Sequence, residues 1–191
     1  MAALEVVGEK GYHATRVSDI VQRAGLSKGA LYHQFDSKRD LFLALFREMM
    51  EQYRDRMLEV LEETKEAEAA FRLVYDEFAQ HFEHNPEMSK GLLEFYFLGM
   101  RDEEIRDTIR DTYLELVEVG ARIIKRGMQN GEFAADIDPE AMAWTFFTAG
   151  DGLILVHMGL DMADRGFATC RSLLDIMLRG MRAGATPGSQ P

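Results

Sequence analysis

The chain has a single cysteine, Cys170, so no intrachain disulfide can form and nothing asks for an oxidising compartment. No apolar run approaches the ~18 residues that a membrane span needs, and no basic stretch followed by an apolar core opens the chain as a secretory leader would. The expected location is therefore the cytoplasm, with no membrane partner. Glycine and proline stand at ordinary levels, which excludes collagen-like and low-complexity chains. Strand-like alternation bounded by turn residues is missing as well. Basic residues are scarce: 22 Lys and Arg face 33 Asp and Glu, a formal net charge of −11, which at face value argues against nucleic acid and anionic membranes.

What the chain has in abundance is the helix period. From Asp40 to about Glu63, the residues Phe42, Leu45, Phe46, Met49, Tyr53, Met57 and Leu61 form one apolar stripe at three- and four-residue steps. A second helix carries Phe71, Tyr75, Phe78 and Phe82 and stops near Asn85-Pro86, because proline disfavours helical geometry in the residue before it. Leu92 to Met100 is apolar nearly all round, which predicts burial on every side. A long helix with Ile105, Ile109, Tyr113, Leu116, Ile123 and Ile124 inward runs to Asn130-Gly131. Asp138-Pro139, an N-cap carboxylate followed by proline at the first helical position, opens a helix that continues to about Gly159. A last helix spans about Phe167 to Arg182, and the expectation is an all-α fold.

The stretch from Gly11 to Lys38 carries the most specific pattern. Val17, Ile20, Val21 and Ala24 make the inner face of a short helix, Gly25 frees the backbone for a sharp turn, and Leu26 plugs the angle between two helices. Ser27 caps the second helix, whose inner face is Leu31 and Phe35. A helix-turn-helix of this kind lays its second helix in the DNA major groove, here with Ser27, Lys28, Gly29 and Ala30 toward base edges. Lys28 suits guanine acceptors or phosphate, while Gly29 and Ala30 permit close approach to a thymine methyl. Tyr32 and His33 project further along, and Lys38 lies near the helix start capped by Ser37; hydroxyl, imidazole and ammonium groups are what phosphate oxygens require. A generic helical hairpin has no need of such donors clustered on it. From Lys10 to Arg39 six basic residues face two acidic ones, a balance of +4 that leaves −15 on the rest. The acidic body is expected to repel DNA and confine contact to this element.

The run Gly11-Tyr12…Thr15…Val17…Asp19-Ile20…Ala24-Gly25-Leu26-Ser27-Lys28-Gly29…Leu31-Tyr32…Phe35…Ser37-Lys38…Leu41 closely resembles the DNA-binding domain of the tetracycline-repressor (TetR) family of bacterial transcriptional regulators. The resemblance implies that Ser27, Lys28, Gly29 and Ala30 read operator bases and that Tyr32 and His33 contact phosphates, with Thr15 and Lys38 also touching the DNA backbone. The family's first helix usually extends about one turn further at its N-terminus than this sequence does, often with a basic residue there. The phrase Gly131-Glu132-Phe133…Asp136-Ile137-Asp138-Pro139-Glu140 looks like the linker before the eighth helix of many members. The resemblance further implies dimerisation through the last two long helices. The expected organisation is a helix-turn-helix DNA-binding domain at 1–45, a helical ligand-binding and dimerisation domain at 46–183 and a flexible tail at 184–191. Unpaired, such a protomer is expected to expose Ile154, Val156, Leu173, Ile176 and Met177.

Large side chains in the second domain suit an apolar cavity for a small molecule, with Tyr75, Phe78, Phe82, Phe95, Tyr96, Met100, Tyr113, Trp144 and Phe147 as candidate lining. Asp151 sits mid-helix on the face of Trp144, Phe147, Leu155 and Met158, where a carboxylate is costly to bury unless paired. Arg122, a neighbouring helix end, or a cationic or hydroxyl-bearing ligand are its candidate partners. His81 and His84 lack a third metal ligand and read as surface residues, and Cys170 reads as a small apolar one. No nucleophile–base pair, metal triad or phosphate-cradling loop is present, so neither enzyme chemistry nor a cofactor is expected. The expected function is a homodimeric transcriptional regulator, a repressor released from a palindromic operator when a small apolar or amphipathic effector binds. In that scheme the effector shifts the Asp40–Glu63 helix. A regulator with a packed core, controlled by concentration or a protein partner, is the alternative.

Overall fold

A helix forms wherever the apolar stripe recurs at three and four residues, and the computed structural model, which describes residues 2–25, 27, 29, 33–157, 160 and 166–184, contains eight named helices among them. They are α1 (Ala2–Lys10), α2 (Val17–Ala24), α3 (Lys38–Glu63), α4 (Ala67–His84), α5 (Pro86–Gly99), α6 (Glu103–Gln129), α7 (Pro139–His157) and α8 (Gly166–Met181). Between α2 and α3 the described residues Gly29, His33 and Gln34 are helical. Among the described residues no strand forms; one isolated bridge joins Phe133 to Arg182.

Local chemistry sets the ends. Gly25 stops α2 in the left-handed region at φ +66, where its N–H donates to the Gln22 carbonyl at 3.3 Å. The Ser37 hydroxyl accepts the Asp40 amide at 3.0 Å to start α3. Asp102 caps α6 by accepting the amides of Glu104 and Ile105, and Asp138 caps α7 by accepting those of Glu140 and Ala141. Pro86 opens α5 as the helix before it ends.

Two apolar clusters result. One gathers Leu4, Val7, Ile20, Val21, Leu41, Phe42 and Phe46 from the first three helices with Phe82, Met88, Leu92, Phe95, Ile105 and Ile154. The other joins the far half of α3 to α4, α6, α7 and α8 through residues such as Met57, Phe71, Leu116, Ile124, Phe146 and Leu178. The core of residues 1–45 is thus continuous with that of α5.

The expected all-round burial of Leu92 to Met100 does not hold. Phe97 is 53% and Met100 71% exposed, because α5 is covered by α1 on one side and α6 on another, and Met100 lies beyond the last helical residue. The expected exposure of Ile154 also fails: at 5% it packs inward with Phe82 and Leu92. Val156 and Ile176 are exposed at 43% and 58%, and Leu173 and Met177 are half-buried.

The contact of α1 with α5 is the most extensive between any two named helices. It is made backbone to backbone. A Cβ built on Gly8 would overlap the Glu87 carbonyl oxygen, and one on Gly91 would overlap that of Leu4. Only glycine allows the approach. Gly91→Ala is expected to lose roughly 1–3 kcal/mol through overpacking against an unyielding backbone. Urea unfolding checks this; an unchanged midpoint would mean that the two helices stand further apart.

Candidate functional site

The helix-turn-helix is held from below and left open above. α2 buries Ile20 and Val21, while Asp19 accepts the Arg16 amide at 3.0 Å, a bond that holds its carboxyl below the ordinary value with help from Lys10. Ser27, Gly29 and His33 are exposed. Lys28, Ala30 and Tyr32, with the packing residues Leu26 and Leu31, lie outside the described residues.

Two residues expected at the DNA backbone face elsewhere in this conformation. Thr15 is 2% exposed and its hydroxyl donates to the Gly11 carbonyl at 2.8 Å, since it closes the turn after α1. Lys38 donates to the carbonyls of Tyr12 at 2.6 Å and Thr15 at 2.9 Å, with its ammonium 4.2 Å from the Tyr12 ring centroid. Burial pulls its pKa below the ordinary lysine value. Lys38 therefore latches the turn to α3.

The basic surplus is also narrower than the Lys10 to Arg39 count implies. Glu5, Glu9 and Asp40 bring the six bases of residues 1–45 to a balance of +1. Arg23 is held by Glu9 at 2.7 Å and Glu5 at 3.2 Å, Lys10 pairs with Asp19 at 3.4 Å, and Arg39 pairs with Glu104 and, at 3.0 Å, Asp102.

In the body a cavity of ≈ 250 Å³ opens between α3, α4, α5, α6 and α7. Of the expected residues, Tyr75, Phe78, Phe82, Tyr96, Tyr113, Phe147 and Asp151 line it. Phe95 does not; it stacks on Phe46 at 4.8 Å, on the face of α5 turned to the other cluster. Met100 and Trp144 border a separate, open groove of ≈ 420 Å³, whose wall shares Tyr96, Tyr113 and Asp151 with the cavity. Sequence reasoning missed Met49, Tyr53, Met57, Val74, Leu92 and Leu116, which also line the cavity. Those on α3 belong to a helical stripe, and periodicity does not separate core from cavity wall.

Asp151 sets the electrostatics. The Tyr113 hydroxyl donates to its carboxylate, and the Tyr96 and Tyr113 hydroxyls are 2.9 Å apart. The Trp144 ring stacks on Tyr113 at 6.1 Å. Arg122, one of the candidate partners, is exposed, and among the described residues the partner of Asp151 is the Tyr113 phenol. Burial pushes the Asp151 carboxyl up to about 6, against the lowering effect of the Tyr113 bond. Glu77, the other carboxylate of the lining, is held by Arg56 through contacts of 3.0 and 2.8 Å. The Tyr75 hydroxyl is buried without a hydrogen-bond partner. His81 and His84 are exposed, the half-buried Cys170 thiol is raised by burial, and no group of metal-ligating side chains exists among the described residues. No helix is long and apolar enough to cross a membrane among them.

The native state holds the Asp151 proton up to about 6, whereas the ordinary value is 3.8. Its protonated form therefore favours folding, and that advantage disappears as pH rises through about 6. The ionised carboxylate costs on the order of 3 kcal/mol. Asp151→Asn keeps an acceptor for Tyr113 and removes the charge. Its thermal midpoint is expected several degrees above the parent's near pH 8 and level with it only below about pH 3.8. Equal midpoints at both pH values would show that the carboxylate is well solvated.

Two family models match the chain: "Bacterial regulatory proteins, tetR family" over residues 1–45 and "BetI-type transcriptional repressor, C-terminal" over residues 67–182. The fatty acid metabolism regulator protein of Bacillus subtilis is 28% identical over 185 residues, covering 94% of this chain and 92% of that protein. Transcriptional regulator AcuR of Cereibacter sphaeroides is 31% identical over 160 residues, 81% of this chain and 72% of that one. The crystal structure of FadR from Bacillus subtilis in complex with stearoyl-CoA superposes with a TM-score of 0.80 at 27% identity, over 95% of this chain and 96% of that chain. The helix-turn-helix, the helical body and these matches agree: the chain belongs to the TetR family of ligand-responsive, DNA-binding transcriptional regulators and is not an enzyme.

Proposed function

We propose that the chain is a homodimeric repressor that binds an inverted-repeat operator and releases it when a small apolar or amphipathic effector enters the cavity. The observation that carries this reading is that α5 has the cavity on one face and the DNA-binding unit on another. Leu92 and Tyr96 line the cavity, while Gly91 abuts α1 and Glu94 accepts the Tyr12 amide. α3 offers a second route, since it begins at the DNA-binding unit and lines the cavity with Met49, Tyr53 and Met57. An occupant that moves either helix moves the recognition segment.

In this reading Ser27, Lys28, Gly29 and Ala30 face bases and Tyr32 and His33 face phosphates. Thr15 supports from within, and Lys38 reaches DNA only if its latch opens. The exposed Leu155 and Val156 of α7 and Ile176 of α8 support pairing through these two helices. Pairing sets two recognition segments roughly one DNA turn apart, ~34–36 Å, or a multiple of it. The cavity weighs against a packed core governed by concentration alone. The relative bound to stearoyl-CoA supports an effector with an apolar body.

The test is operator binding by the intact protein, using DNA selected from random sequence. The full palindrome is expected to bind at least about a hundredfold more tightly than an isolated half-site, because each protomer adds its own contacts. Affinity should also fall linearly on a log–log plot against salt, as released counterions require. Equal affinity for half-site and palindrome would overturn the dimeric reading.

A further inference from the structure

The lining of the cavity is chemically one-sided. It contains two carboxylates, Glu77 and Asp151, and one imidazole, His81, whose pKa burial lowers below the ordinary histidine value, with no lysine or arginine. Glu77 already has Arg56. Among the described residues Asp151 has only the Tyr113 hydroxyl, although a carboxylate can accept about four hydrogen bonds. Among the described residues no cation pairs with it. Across the same cavity, the Tyr75 hydroxyl is buried and unpartnered. Tyr53, Phe78 and Phe147 add aromatic walls, whose π faces attract cations.

An anionic head here would set a second negative charge beside Asp151 in an apolar enclosure, which is strongly unfavourable. Arg106 and Arg110 do not relieve it: they border the open groove and face their own acids, Arg106 with Glu103 at 3.8 Å, Arg110 with Asp107 at 2.8 Å and Asp111 at 3.1 Å. An ammonium group answers the deficit at Asp151, donating to its carboxylate beneath the aromatic walls. As for size, a cavity of about 150 Å³ holds benzene, so ≈ 250 Å³ admits an occupant of about ten non-hydrogen atoms.

Resting on the reading of this cavity as the effector site, we propose that the effector is a small protonated amine with an apolar body, its ammonium held by Asp151. The sole tryptophan, Trp144, stacks on Tyr113 beside this point, so its emission reports occupancy. Phenylpropylamine, phenylpropanol and phenylpropionate share one body and differ in the head. Titrated into the intact protein at neutral pH, the amine is expected to bind at least roughly thirtyfold more tightly than the carboxylate, with the alcohol between them. In the Asp151→Asn protein the amine should lose that preference while the alcohol binds as before. A carboxylate that binds as tightly as the amine, or an amine unaffected by Asp151→Asn, would overturn the head-group assignment and leave the effector cavity standing. Failure of all three to bind would overturn both.

Discussion

Beside the continuous helix α3, what ties the DNA-binding unit to the cavity wall is a backbone contact between two helices. Leu4 and Gly8 on α1 meet Glu87 and Gly91 on α5 with no side chain between them. Neither backbone can yield as a flexible side chain would, so the spacing of α1 and α5 is fixed at this contact. The adjacent Leu92, and Tyr96 one turn on, then place the same helix at the cavity wall. The apolar cluster of the first three helices extends into α5 without a break. The DNA-binding unit therefore has no core of its own to retain when α5 shifts.

Charge acts on a different scale. The body is strongly acidic, and residues 1–45 are close to neutral once Glu5, Glu9 and Asp40 are counted with their bases. Arg23 and Arg39 are engaged by acids of neighbouring helices. Such exposed pairs add little stability, but they position side chains and reduce the free positive field. Long-range attraction to DNA is consequently weak, and binding relies on contacts made at close range.

Much of the fold was legible because local signals and periodicity agreed. Asp138-Pro139 starts α7, Asn85-Pro86 divides α4 from α5, and Gly25 turns the chain. The site was legible in part. Asp151 stood out as a carboxylate among apolar residues on a helix face, yet its partner came from Tyr113 of another helix, which no spacing rule relates to it. Phe95 and Phe82 look alike in sequence, but one fills a core and the other borders a cavity, since packing between helices decides which side of a stripe is empty. Thr15 and Lys38 match exposed family positions, whereas here hydrogen bonds to the turn after α1 claim both. The close backbone approach at Gly8 and Gly91 was not legible, since the helical pattern alone gives no sign of a partner.

We propose that cavity occupancy reaches DNA chiefly through α5, whose Tyr96 lines the cavity. The direct measurement is operator affinity, by fluorescence anisotropy, with and without a compound that saturates the Trp144 emission change, in the parent protein and in Tyr96→Phe. Typical coupling of about 1–3 kcal/mol predicts a 5- to 150-fold loss of affinity in the parent, and a markedly smaller loss in a Tyr96→Phe protein that still binds the compound. An identical loss in both proteins, or none in the parent, would contradict the account.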